Sequence, residues 1–125
     1  MARAVTLVDT SVLVDVLRGR PAATSWWEAT DDPQASEVTR VEVLQGMRSS
    51  ERLVTYELLA EVRWHPVDTA VAERAGELGR SFRRSHGGID VADLCIAATA
   101  QLRALELATL NVRHFPMFAG LRPPY

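Results

Sequence analysis

The sequence predicts an α/β fold, a short parallel sheet covered by helices on both faces. Three observations carry this. Short apolar runs alternate along the chain with helix-length segments, the pattern of strands joined by crossover helices. One segment, "DVADLCIAATAQL" at 90–102, is apolar almost all round after its first turn, so that helix is buried. The length of 125 residues suits one core and one domain, residues 1–125.

Residues 5–9, "VTLVD", are the first strand. Thr10 or Ser11 then caps a helix to about Arg18, stopped by Gly19 and Pro21. A second helix runs from Pro21 through "AATSWWEAT" to the turn at Asp31, Asp32 and Pro33. "QASEV" (34–38) is a short strand, and "TRVEVLQGM" (39–47) opens a third helix. "SERLVTYELLAEV" (50–62) is a fourth helix and "RWHPV" (63–67) another short strand. Asp68 caps a long helix with Val71, Ala75, Leu78 and Phe82 as its apolar stripe, ending at Gly87 and Gly88. The buried helix at 90–102 follows, and "ELATL" (106–110) is the last strand.

Composition excludes several classes. At 47% hydrophobic and 24% charged, the chain is that of a folded, soluble protein. No apolar run reaches the roughly 18 residues of a spanning helix, since Asp9, Asp15 and Arg18 interrupt the best stretch. "MARAV" leads straight into strand-like sequence without signal-peptide features, and Cys95 is the single cysteine. Both suit a cytoplasmic protein without membrane contact. A net charge of -2 argues against non-specific coating of nucleic acid. All 14 basic side chains are Arg; a GC-rich coding sequence accounts for that as well as phosphate recognition does.

In a parallel α/β sheet, strand C-termini and the helix N-termini that follow share one edge, where ligands bind. Asp9 ends the first strand, Glu42 lies in the first turn after the second, and Asp90 and Asp93 open the buried helix. Thr109 and Asn111 end the last strand. Four carboxylates and an amide thus converge from distant parts of the chain. Each also has a plainer reading. Thr39 and Glu42 fit a capping box, Asp90 fits an N-cap, and Asp93 suits the positive end of the helix dipole. Asp9 is harder to dismiss, because an ionised carboxylate among apolar residues needs compensation. Acids gathered at one edge repel unless a cation or a shared proton intervenes.

Carboxylates, an amide and hydroxyls are hard oxygen donors, suited to Mg2+, with Mn2+ as a substitute. His65, His86 and His114 are scattered and Cys95 sits in an apolar run, so no zinc set is evident. No serine-nucleophile elbow and no phosphate loop occur; "GELGRS" at 76–81 lies inside an amphipathic helix. Magnesium held by carboxylates polarises a phosphoryl oxygen and activates water, so phosphodiester hydrolysis leads. Among the arginines Arg18, Arg20, Arg48, Arg83, Arg84 and Arg113, the first candidates to hold a substrate backbone are Arg18, Arg48 and Arg113.

"LVDTSVLVDVLRG", "VTRVEVLQGM", "VADLCIAATA" and "LATLNVRHF", in that order, resemble a PIN-domain nuclease, specifically the VapC-type toxin of a bacterial toxin–antitoxin pair. The resemblance covers nearly the whole chain. It implies a single-domain α/β/α sandwich and a magnesium- or manganese-dependent endoribonuclease that cuts tRNA or rRNA. It also implies a homodimer or a toxin–antitoxin hetero-oligomer, inhibited by a cognate antitoxin. Position by position, Asp9, Glu42 and Asp93 match the acidic core, and Asp90 a position acidic in some relatives. Thr10, Ser11 and Thr109 match polar supports around the metal. Asn111 stands where many relatives carry an acid, which lowers the charge available to a second ion. Trp26 and Trp27, read as lying beside the acidic edge, are candidates for the antitoxin groove.

Two other classes compete. A magnesium-binding phosphoacceptor receiver module also has a buried Asp at a strand end, but normally pairs acids there and carries a Lys after the last strand; this chain has no Lys. A catalytically silent interaction module would be favoured by loss of Asp9 or Glu42, and both are present.

Overall fold

The computed structural model describes residues 4–125. Four strands form one sheet: β1 (Thr6–Val8), β2 (Gln34–Ser36), β3 (Arg63–His65) and β4 (Glu106–Ala108). Their order across the sheet is β3-β2-β1-β4, and every neighbouring pair is parallel. Leu7 is level with Gln34 on one side and with Leu107 on the other. Six α-helices connect and cover the strands: α1 (Thr10–Leu17), α2 (Pro21–Glu28), α3 (Glu37–Gln45), α4 (Arg52–Leu59), α5 (Thr69–Phe82) and α6 (Val91–Leu102). The α/β sandwich with a short parallel sheet is the fold the sequence predicts.

Successive strand residues face opposite sides, so β1 feeds two cores. Leu7 joins Val71, Leu78, Ile96 and Phe115 in the layer made by α5 and α6. Val8 joins Val12, Leu13, Trp27, Val43 and Leu58 in the layer made by α1, α2, α3 and α4. From Asp93 to Ala100, α6 is buried throughout, as its composition requires.

The observed strands are shorter than the apolar runs suggest, because polar side chains end them early. Ser36 Oγ accepts from the Val38 N–H at 3.2 Å, which takes the chain out of β2 and starts α3 at Glu37 rather than at Thr39. Glu42 therefore lies beyond the first turn of α3, and the Thr39–Glu42 capping box does not form. After β4, Thr109 Oγ1 accepts from the Asn111 N–H at 3.0 Å and turns the chain away. At the start of α1 neither Thr10 nor Ser11 is the cap. Asp9 occupies the cap position, but its side chain does not cap the helix.

Two further boundaries shift. Ahead of α4, Ser49–Glu51 form a 3-10 turn, with the Glu51 carboxylate accepting from the Arg48 N–H at 3.0 Å. α5 stops at Phe82, where its apolar stripe ends. The Phe82 carbonyl is taken by the N–H groups of Ser85 and His86, so the helix does not reach Gly87.

Candidate functional site

The parallel topology brings the ends of β1 and β4 and the starts of α1 and α6 to one edge, and α3 packs against both α1 and α6 there. Asp9 follows β1 and is 3% exposed. Its Oδ2 accepts from Ser11 Oγ and from Thr109 Oγ1, each at 2.7 Å. Both hydroxyls also bind backbone: Ser11 Oγ accepts from the Leu110 N–H at 3.1 Å, and Thr109 Oγ1 from the Asn111 N–H. Asp9 thereby ties α1 to the loop after β4.

Glu42 reaches across from α3, and Thr10 Oγ1 donates to its Oε1 at 2.6 Å. The fully buried Thr39 lies one helical turn earlier, its hydroxyl 3.3 Å from that of Thr10. Burial pushes the Glu42 carboxyl up from its ordinary range; the Thr10 hydrogen bond opposes this, and the charges of Asp9 and Asp90 reinforce it.

Asp90 and Asp93 form the reciprocal cap of α6. The Asp93 N–H donates to Asp90 Oδ1 at 2.9 Å, and the Asp90 N–H to Asp93 Oδ2 at 3.1 Å. The reading of Asp90 as an N-cap is correct, and the return bond from the Asp90 N–H to Asp93 goes beyond it. It does not exhaust Asp93, which is buried and whose carboxyl is pushed up to about 6. Burial is the main cause; the Asp90 backbone hydrogen bond opposes it, the Asp90 charge adds to it, His114 opposes it and Asp9 adds to it. His114 Nδ1 stands 3.2 Å from Asp93 Oδ2.

These acids share an edge and sense one another's charge, yet each is occupied locally. Among the described residues no three His, Cys, Asp or Glu side chains stand close enough together to cage a metal ion. A second regularity answers how they could take one up. In each of Asp9, Glu42, Asp90 and Asp93 one carboxylate oxygen is held by a protein donor. The other makes no hydrogen bond among the described residues. No Arg or His among those residues pairs with Asp9 either. An all-oxygen set of oriented acids, with no protein cation opposite the most buried one, fits a hard divalent ion.

The family model for the PIN domain matches residues 6–120. The chain belongs to the PIN-domain family. Ribonuclease VapC10 of Mycobacterium tuberculosis is 48% identical to this PIN domain over 122 residues, covering 95% of this chain and 92% of the relative. Ribonuclease VapC19 of the same species is 44% identical over 123 residues, covering 95% and 98%. A toxin–antitoxin complex from Klebsiella pneumoniae contains a chain that superposes with a TM-score of 0.83 at 30% identity, covering 96% of this chain and 98% of that one. This PIN domain is thus of the VapC type, a family of ribonucleases that generally depend on a divalent metal.

The structure sorts the remaining sequence candidates of this PIN domain. Arg18 and Arg48 line one groove of about 390 Å³ with Glu42, Val14, Leu17 and Met47. Arg113 is exposed on the 3-10 turn Val112–His114 that follows Asn111, itself exposed. Arg20 is committed to Asp15 at 3.1 Å, and Arg83 lies on the outer groove between α5 and α6.

The placement of Trp26 and Trp27 beside the acidic edge is corrected. α2 returns the chain toward the start of β2, so Trp26 lines a cavity with Thr6 and Glu106, the first residues of β1 and β4. Trp27 is 9% exposed and belongs to the core, while Trp26 packs on Tyr125 with ring centroids 6.3 Å apart. Sequence reasoning missed His114 and the role of Thr39. For Thr39 a signal existed: it stands one turn before Glu42 on the same helix. For His114 no spacing rule pointed to Asp93, because the two meet only where separate loops pack.

Proposed function

We propose that this PIN domain is a magnesium-dependent endoribonuclease, the toxin of a type II toxin–antitoxin pair, and that it inhibits translation by cutting structured RNA such as tRNA or rRNA. The observation that carries the reading is Asp9: a carboxylate almost wholly buried at a strand end, oriented by Ser11 and Thr109, its charge felt by Glu42 and Asp93 at the same edge, and with no cation paired to it among the described residues. Asp9, Glu42 and Asp93 are the residues that would hold the ion, with Asp90 at the margin. Magnesium, or manganese in its place, would polarise the scissile phosphate and supply an activated water.

The remaining chemistry belongs to the chain. Thr10, Ser11 and Thr109 hold one oxygen of each of their carboxylates through short hydrogen bonds, which leaves the other oxygen to be offered to the ion. Arg18 and Arg48, on the groove that Glu42 also lines, are placed to grip phosphates of the RNA backbone on one side of the site. Arg113 contributes from the turn after Asn111 on the other.

The cognate antitoxin is the expected partner, as a homodimeric toxin or a hetero-oligomer with its inhibitor in the cytoplasm. Trp26, half-buried against Tyr125, remains the candidate aromatic anchor for that partner. The receiver reading is not favoured: the family match runs from residue 6 to residue 120, and the chain lacks the Lys that reading needs.

The test is to sequence RNA ends after brief expression of the wild type and of Asp9→Asn. Discrete new ends with the wild type, absent with Asp9→Asn and abolished in vitro by EDTA, are expected. Identical ends from both proteins would refute the reading.

A further inference from the structure

Thr55 is out of character with its helix. On α4 the apolar Leu53 and Val54 are exposed, whereas Thr55 turns inward with Leu58 and Leu59 and is only 2% exposed. A buried hydroxyl normally finds a partner, often the carbonyl one turn back, as Thr99 finds that of Cys95 at 2.8 Å. The Thr55 hydroxyl makes no hydrogen bond among the described residues. None of those residues holds a sealed side-chain polar atom without a partner, so the small exposed part of Thr55 includes its oxygen. It opens onto the groove of about 390 Å³ that Thr55 lines, between α1, the end of α3 and α4.

We propose that this groove is a base-recognition subsite: it takes one unstacked nucleobase adjoining the scissile phosphate, and Thr55 and Glu51 read the edge of that base. The groove has the size of a small-molecule site. Val14, Leu17 and Met47, all half-buried, give it apolar walls for the faces of a base. Arg18 and Arg48 also line it, both exposed and neither in an ion pair among the described residues. Guanidinium planes in such positions stack on bases or hold the adjoining phosphate. The Thr55 hydroxyl can donate or accept. Glu51 lines the same groove; its Oε1 accepts from the Arg48 N–H, and its other oxygen makes no hydrogen bond among the described residues. A carboxylate only accepts, so it selects a base with an exocyclic amino group over uracil. Glu42 belongs to this groove and to the acidic edge, so RNA bound at the edge carries its next nucleotide over Thr55. An apolar helix of a protein partner would leave both arginines and the Thr55 hydroxyl unmet. This inference rests on the ribonuclease reading above and deepens it, from RNA in general to the nucleotide beside the cut.

The experiment cleaves a pool of RNA hairpins with randomised loops, in magnesium, and sequences the cut ends. The proteins are the wild type, Thr55→Val, Thr55→Ser, Glu51→Gln and Asp9→Asn. Mn2+ binding by electron paramagnetic resonance and melting curves are recorded beside the cleavage. The wild type should disfavour uracil by about tenfold at one nucleotide flanking the cut. Thr55→Val should lose most of that preference, with Mn2+ affinity unchanged and a melting temperature at or above the wild type, because it removes an unpaired buried hydroxyl. Thr55→Ser should keep the preference. Glu51→Gln keeps an oxygen for the Arg48 N–H but turns the other group into a donor, and should admit uracil.

A preference that survives Thr55→Val or Glu51→Gln overturns the proposal. So does loss of all cleavage by Thr55→Val together with weaker Mn2+ binding, since Thr55 would then support the acidic edge and not a base. If Thr55→Val does not fold, Gly46→Leu decides. Gly46 lines the groove with φ −90°, and an added Cβ meets nothing closer than the Glu42 carbonyl at 3.6 Å. Bulk at that position should erase the preference and leave Mn2+ binding intact; an unchanged cut pattern overturns the proposal. Cuts that depend on Asp9 but show no preference at either flanking nucleotide refute the subsite alone. Absence of any cut that depends on Asp9 refutes the ribonuclease reading itself.

Discussion

Thr10 donates to Glu42 at 2.6 Å, a bond between residues 32 positions apart that joins the first turn of α1 to the middle of α3. It opposes the burial that raises the Glu42 carboxyl and so favours the ionised form that the proposed metal binding needs. Thr10→Val keeps the shape and removes the donor. Cleavage and metal affinity should fall by about tenfold, with Thr10→Ser close to the wild type. RNA cleavage rates at a series of magnesium concentrations check this, and equal activity of Thr10→Val would show the bond to be dispensable.

The acids and the helix caps make opposite predictions for stability. Asp9→Asn, Glu42→Gln and Asp93→Asn should each nearly abolish cleavage, yet in EDTA melt at or above the wild-type temperature, because each removes one charge from a repelling group. Ser36→Ala removes the observed cap of α3 and should cost about 1 kcal/mol while leaving the acids of the edge in place. Thermal melts paired with cleavage assays separate the two. A destabilised but active Glu42→Gln would return Glu42 to a purely structural role.

The raised carboxyl of Asp93 sets a pH window. Its folded value is about 6 against an ordinary 3.8, so between these the native state binds more protons than the unfolded chain. Metal-free stability should therefore fall as pH rises through that window, with Glu42 contributing in the same direction. In Asp93→Asn this part of the decline should vanish. Magnesium should restore stability chiefly above pH 6, where the carboxylate is free of its proton. Melting temperatures across pH, with EDTA and with magnesium, measure both; a metal-free profile that is flat or rises across the window contradicts it.

Asn111 bears on how many ions bind. It is exposed beside Arg113 and brings no charge, so on the proposed reading Asp9, Glu42 and Asp93 would hold one ion while a second would have little to hold it. One tight ion is expected in the RNA-free protein, the second being recruited with RNA phosphate. Asn111→Asp should strengthen the second site and Asp90→Asn weaken it. Metal titration by calorimetry decides, and two equally tight sites in the wild type would end the argument.

The fold and the membership of the acidic edge were legible in the sequence for a local reason. Alternation of short apolar runs with helical segments dictates a parallel sheet, and a parallel sheet sends Asp9, Asp90, Asp93 and Thr109 to one edge whatever the details of packing. Side-chain chemistry there offers oxygen donors alone, the basis for proposing a hard divalent ion. Element boundaries were less legible, because Ser36 and Thr109 compete with the sheet for backbone groups within two residues, and pattern alone does not show which wins. Packing between distant segments decided the rest. It alone set Thr10 against Glu42 and His114 against Asp93, and it carried Trp26 of α2 to the far edge of the sheet while Trp27 went into the core. Such pairings depend on crossing angles and loop paths, which no periodicity along the chain encodes.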